Sequence, residues 1–127
     1  MVKHERLRKN QEFRNVYRKG KSFPSELMVL YKLKNTRNRL PDGTLFNRVG
    51  ISVSKKVGKS VVRSRVKRLI SESARLSRDG VEKGFDFVFV ARNPIAGKTY
   101  KEVDRTVKYL YKKAGLQSNE KNTDGSH

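Results

Sequence analysis

Apolar residues recur along this chain at two spacings, and the change from one to the other marks where elements meet. Between residues 49 and 54, Val49, Ile51 and Val53 alternate with Gly50, Ser52 and Ser54, the period of a half-buried strand. From Val62 the period becomes helical. Val62, Val66, Leu69, Ile70 and Ser73 fall within one stripe, so that side of the helix should lie on a core. Lys55, Lys56, Gly58, Lys59 and Ser60 make the turn between them, with Gly58 free to take a backbone angle other residues avoid and Ser60 placed to cap the helix.

Both periods recur on either side of this stretch. Upstream, Asn10 can cap a helix in which Phe13, Val16 and Tyr17 repeat at i, i+3 and i+4, and Gly20 is placed to end it in a left-handed turn. Lys21 to Pro24 reads as a short extended piece. In the next strand Leu27, Val29, Tyr31 and Leu33 alternate with Met28, Leu30 and Lys32, making one face wholly apolar and the other nearly so. Asn35 to Asn47 carries the turn residues Asn38, Pro41, Asp42 and Gly43 and joins two strands that can pair antiparallel. Arg37 and Arg39, with Lys34 and Arg48 beside them, read as incidental surface charge. Downstream, Phe85 to Ala91 places phenylalanines on one face and valines on the other, a strand buried inside a sheet. Thr99 and Glu102 have the spacing of a capping box for a last helix with Tyr100, Val103, Val107, Leu110, Tyr111 and Ala114 on one face, ended by Gly115. The order is helix, strand or strands, strand, helix, strand, helix, an α/β (α+β) two-layer sandwich of helices on a sheet.

Charge narrows the function. The 127 residues fit one domain, read as 1–116 with a basic arm over 1–9, and the polar tail 117–127 cannot bury enough surface to fold alone. Lys and Arg number 31 against 12 Asp and Glu, a formal charge of +19. Nine of those cations lie between Lys55 and Arg78 against the single acid Glu72, the footprint of a polyanion-binding surface. No apolar run is long enough to span a bilayer, and residues 1–10 lack a signal peptide's apolar centre, so a cytoplasmic protein is expected. Cysteine is absent, which removes disulfides and thiolate chemistry. The two histidines, His4 and His127, sit near the chain ends, and the acids are scattered, with Asp86 inside an apolar strand and Glu102 in a cap. Neither a carboxylate cluster for metal ions nor a general acid–base pair is visible. The chain therefore reads as a binder without catalytic or metal-ligating residues of its own.

One stretch carries a family resemblance. Gly50-Ile-Ser-Val-Ser-Lys-Lys-Val-Gly58, followed by Val62-Arg-Ser-Arg-Val-Lys-Arg-Leu-Ile70, resembles the signature of the bacterial ribonuclease P protein subunit. That family has an Arg-Asn-Arg core where this chain has Arg63-Ser64-Arg65, and Ser lacks the second hydrogen-bonding group of the amide. The resemblance implies the order helix, three strands, helix, strand, helix, in a fold similar to a domain of certain ribosomal proteins, with a left-handed strand–helix–strand crossover. It also implies an endoribonuclease whose catalytic centre and Mg2+ requirement belong to the RNA subunit, while the protein assists removal of the 5′ leader from precursor tRNA. By matching positions, Lys59, Arg63, Ser64, Arg65, Lys67 and Arg68 would meet the ribonuclease P RNA. Phe13, Tyr17, Val29, Tyr31, Lys55 and Lys56 would hold the single-stranded leader, although on residue pattern alone Phe13 and Tyr17 read as core. No membrane or small-molecule partner is implied. The alternative is a ribosomal or ribosome-assembly RNA-binding protein of the same fold without tRNA-processing activity.

Overall fold

The computed structural model describes residues 3–116 of the chain. The tail read over 117–127, with His127, and the first two residues of the basic arm lie outside the described residues. The elements are α1 (Asn10–Lys19), β1 (Lys21–Pro24), β2 (Met28–Lys34), β3 (Arg48–Ser52), α2 (Ser60–Ser77), β4 (Phe85–Ala91) and α3 (Tyr100–Lys113). Their order agrees with the α+β reading. Short 3-10 turns lead into β3's following helix at Lys55–Val57 and into α3 at Asn93–Ile95.

The strand order departs from expectation. The sheet runs β1-β2-β4-β3, so β2 and β3 do not pair with each other. β4 inserts between them, antiparallel to β2 and parallel to β3. The physical reason is burial: β4 is apolar on both faces apart from Asp86, and every residue but Val90 is buried, which only a central position allows. β1 is the opposite edge, and Pro24, which has no N–H to donate, ends it.

Each face of the sheet has its own core. Met28, Leu30, Phe87 and Phe89 point toward α2 and α3 and pack with Val66, Ile70, Val107 and Leu110. Full burial of each such side chain is worth about 1.5–3 kcal/mol, so this face supplies most of the driving force. On the other face α1 lays Val16 against Val88 and Leu7. Leu7 is buried and its N–H donates to the Val49 carbonyl at 3.0 Å, so the basic arm is docked there along the β3 edge.

Several terminal residues also differ from expectation. Lys9 and Lys59, rather than Asn10 and Ser60, occupy the N-cap positions of α1 and α2. Gly20 follows α1 in extended conformation, and its lack of a side chain is needed because a Cβ there would sit 2.7 Å from the Lys32 carbonyl oxygen. Gly58 is likewise extended, and a Cβ would come within 2.9 Å of Val62. The capping box of α3 forms as read: the Glu102 N–H donates to Thr99 Oγ1 at 3.2 Å and the Thr99 N–H to Glu102 Oε1 at 3.0 Å.

Candidate nucleic-acid interface

Strand register arranges the α1 side of the sheet in rows. Val29, Val90 and Ser52 lie side by side, then Tyr31, Val88 and Gly50, then Leu33, Asp86 and Arg48. α1 crosses the second and third rows. Its Phe13 ring lies over Gly50, where a Cβ would come to 2.6 Å from the ring. Only glycine lets the ring lie so close to the sheet. Val29, Val90 and Ser52 are left half-buried, beside an aromatic wall. Tyr17, 38 % exposed, forms that wall with Tyr31, 5.0 Å away edge to face, and Phe13, 6.5 Å away. Burial lifts the Tyr17 hydroxyl above its ordinary value while Ser52 opposes the shift, so at neutral pH it is a hydrogen-bond donor.

The angle of α1 over this face is held by a charged cluster. Arg48 donates from Nε and Nη2 to the two oxygens of Asp86, each at 2.9 Å, and from Nη1 to Glu12 of α1 at 2.9 Å. Asn35 and Asn38 donate to the same Asp86 carboxylate at 3.0 and 2.9 Å. Burial would raise the Asp86 carboxyl, but the bonds from Arg48, Asn38 and Asn35 outweigh it and hold the group below the usual carboxylate range. Arg48 is thus no incidental surface charge. It is the link between β3, β4 and α1, and the polar excursion Asn35 to Asn47 is ordered enough to bury Asn38 behind it.

Basic side chains gather where β3 hands over to α2. Lys55 and Lys56 are exposed in the turn just beyond Ser52, next to the half-buried row, and Lys59 is exposed at the start of α2. The first turn of α2 contains no acid, and no side chain caps its N–H groups, so its end attracts anions. Arg63 and Arg65 are half-buried and aimed by backbone carbonyls: Arg63 Nε donates to Gly58 at 3.1 Å, and Arg65 Nη1 to Lys98 at 3.0 Å. Each guanidinium keeps further donors for phosphate oxygens. Ser64, Lys67 and Arg68 are exposed.

A groove of about 670 Å3 along the β3 edge runs from Leu7 and Phe13 past Ile51 to Lys67 and Arg68. The groove brings Phe13 together with Lys67 and Arg68, while Tyr17, Tyr31 and Val29 line the α1 side of the sheet, and Lys55, Lys56, Lys59, Arg63, Ser64 and Arg65 lie in the turn after β3 and the first turns of α2. Sequence reading missed Ser52, Val90 and Arg48. The alternating phase of β4 placed Val90 on the valine face, but only strand order shows that Val29 and Ser52 are its neighbours.

Residues 1–115 match the family described as Ribonuclease P. The chain belongs to the ribonuclease P protein family. The ribonuclease P protein component of Clostridium beijerinckii is 59 % identical over 119 residues, covering 94 % of this chain and 95 % of that protein. Its counterpart from Clostridium perfringens is 59 % identical over 115 residues, 91 % and 92 % of the two chains. Among solved structures, the RNase P protein of Staphylococcus aureus superposes with a TM-score of 0.80 at 29 % identity, over 91 % of this chain and all of that one. That of Thermotoga maritima gives 0.73 at 30 % identity, over 86 % and 96 %. This family member keeps the fold while carrying Ser64 between its paired arginines.

No helix among the described residues is long and apolar enough to cross a membrane, and no three His, Asp or Glu side chains there gather to hold a metal ion.

Proposed function

We propose that this chain is the protein subunit of a ribonuclease P ribonucleoprotein, assisting an RNA catalyst in removing the 5′ leader of precursor tRNA in the cytoplasm. Its two partners are the ribonuclease P RNA and the precursor tRNA, and its described residues form one RNA-binding domain. The observation that carries the reading is the half-open row Val29, Val90 and Ser52, walled by Tyr17 and Tyr31 and rimmed by Lys55 and Lys56.

Such a surface suits an unpaired strand. Aromatic faces stack on any base, so leaders of many sequences are accommodated, and the lysines neutralise phosphates without reading sequence. Arg63, Ser64, Arg65, Lys67, Arg68 and Lys59 contact the RNA subunit, placing the cleft beside the site where the leader is cut. Positive charge from the protein lowers the number of cations the two RNAs need in order to approach each other. In this reading Mg2+ is bound by the RNA, which performs the hydrolysis, and the chain contributes binding and orientation.

The test is cleavage of a precursor tRNA by a bacterial ribonuclease P RNA at low Mg2+, with and without this protein, across a series of leader lengths. Assistance that grows as the leader lengthens supports both the subunit role and the cleft. Cleavage by the protein alone, or tRNA binding without assistance, would overturn it.

A further inference from the structure

The outward face of α3 takes no part in the surfaces above. Val103, Val107, Leu110 and Tyr111 turn into the core, which directs Lys101, Arg105, Tyr109 and Lys112 away from it. All four are exposed, Tyr109 by 51 %, and the Lys113 ammonium lies 5.7 Å from the Tyr109 ring centre. The acids of α3 are already engaged. Glu102 closes the capping box, and Asp104 accepts from Ser73 at 2.7 Å and pairs with Lys108 at 3.0 Å. Among the described residues, Lys101, Arg105 and Lys112 have no carboxylate within ion-pair distance.

Structural roles account for only part of this face. Lys112, in the last turn, complements the negative end of the helix dipole. Lys101 stands in the first turn, at the positive end, where a cation is unfavourable, and Arg105 gains nothing from either end, its structural role being limited to the charge it places near Glu102. A face built for solubility would mix both signs, and would not present an aromatic ring among its charges. Lys101 to Lys112 spans roughly 16 Å of helix axis, enough to meet several phosphates along a backbone.

We propose that the outward face of α3 is a further RNA-binding surface, which grips the phosphate backbone of a base-paired RNA segment independently of the leader cleft and of α2. Lys101, Arg105 and Lys112 supply the charge and Tyr109 packs on the sugar edge. A straight helix face suits a duplex, which is recognised by shape and phosphates, whereas the cleft suits a single strand. The proposal rests on the RNA-binding reading given above.

The experiment measures binding of the full chain to a 20-base-pair RNA duplex of mixed sequence, and separately to a single-stranded leader oligonucleotide, as a function of salt. The variant is Lys101→Gln/Arg105→Gln/Lys112→Gln. A charge-matched control, Lys34→Gln/Arg37→Gln/Arg39→Gln, removes three exposed cations elsewhere. The α3 variant is expected to lower the duplex log–log salt slope by about 2 to 3, one phosphate contact per removed cation, and to leave the single-strand slope within about 0.5 of the parent. Equal slopes for parent and α3 variant on the duplex, or an equal drop in the control, overturn the proposal. Assistance in precursor cleavage is scored separately in the parent, so failure of the subunit reading and failure of the α3 surface give different results.

Discussion

Replacing Arg48 by Met tests whether the cluster under α1 holds the cleft together. The substitution removes three hydrogen bonds, two to Asp86 and one to Glu12. Asp86, with 5 % of its side chain exposed, is left with only the amide donors of Asn35 and Asn38. Removing one partner of a buried ion pair costs about 3–5 kcal/mol, chiefly because the survivor stays charged and desolvated. Arg48 itself is 22 % exposed, and two donors to Asp86 remain, so the lower end of that range, about 3 kcal/mol, is expected. In a domain of this size that corresponds to a fall of roughly 10 °C in melting temperature. Urea unfolding at pH 7 followed by circular dichroism gives the free energy directly. Adding Asp86→Asn to Arg48→Met removes the stranded charge and should recover at least half of the loss. A single-variant loss below about 1 kcal/mol, or a double variant no better than the single, would show that the cluster is not the brace described.

The other predictions concern the same cleft and the helix beside it. The carboxyls of Asp86 and Glu12 are both held below their ordinary values in the fold, in each case because hydrogen bonds and Arg48 outweigh burial. Their contribution is therefore complete above the unfolded carboxylate values, near about pH 4, and is lost as pH falls through the lower folded values. Melting temperature should drop below that pH, and Asp86→Asn should flatten the drop; parallel curves for the two proteins would contradict this. Tyr17→Ala should cost about 1–3 kcal/mol in affinity for a leader-bearing precursor tRNA and nothing for mature tRNA, while Tyr17→Phe should behave like the parent. Gly50→Ala forces the Phe13 ring off the sheet, so leader affinity should fall while RNA-subunit affinity does not, as measured by titrating each RNA separately. Ser64→Asn adds an amide donor and acceptor at an exposed position between Arg63 and Arg65, and should tighten RNA-subunit binding; an unchanged dissociation constant would remove position 64 from the interface.

Much of this was readable from the chain, for reasons that differ by element. The apolar stripe of α2 and the capping box of α3 are local patterns, and local patterns survive folding: Val66, Ile70 and Ser73 are buried, and Thr99 and Glu102 bond each other. Strand order was not readable, because alternation fixes which residues share a face but not which strand lies beside them. That gap hid the site's other half. Val90 and Ser52 become neighbours of Val29 only once β4 lies between β2 and β3. Arg48 was hidden for the same reason, since its partners Glu12 and Asp86 are 36 and 38 residues away in sequence.

The placement of the acids explains how so basic a chain folds and still presents open cations. Glu12 and Asp86 are committed to Arg48, Asp104 to Ser73 and Lys108, Glu102 to its helix cap, Glu5 to Arg78 and Glu72 to Arg75. These six close contacts between or within elements and so stabilise the architecture, while Glu26, Asp42, Asp79 and Glu82 stay exposed among a much larger number of cations. The exposed charge is therefore mostly positive, including Lys55, Lys56, Lys59, Lys67 and Arg68. Repulsion among those cations opposes folding of the free protein, and a polyanion removes it on binding. RNA should therefore stabilise this fold, and the gain should shrink as salt rises and screens both the repulsion and the contact.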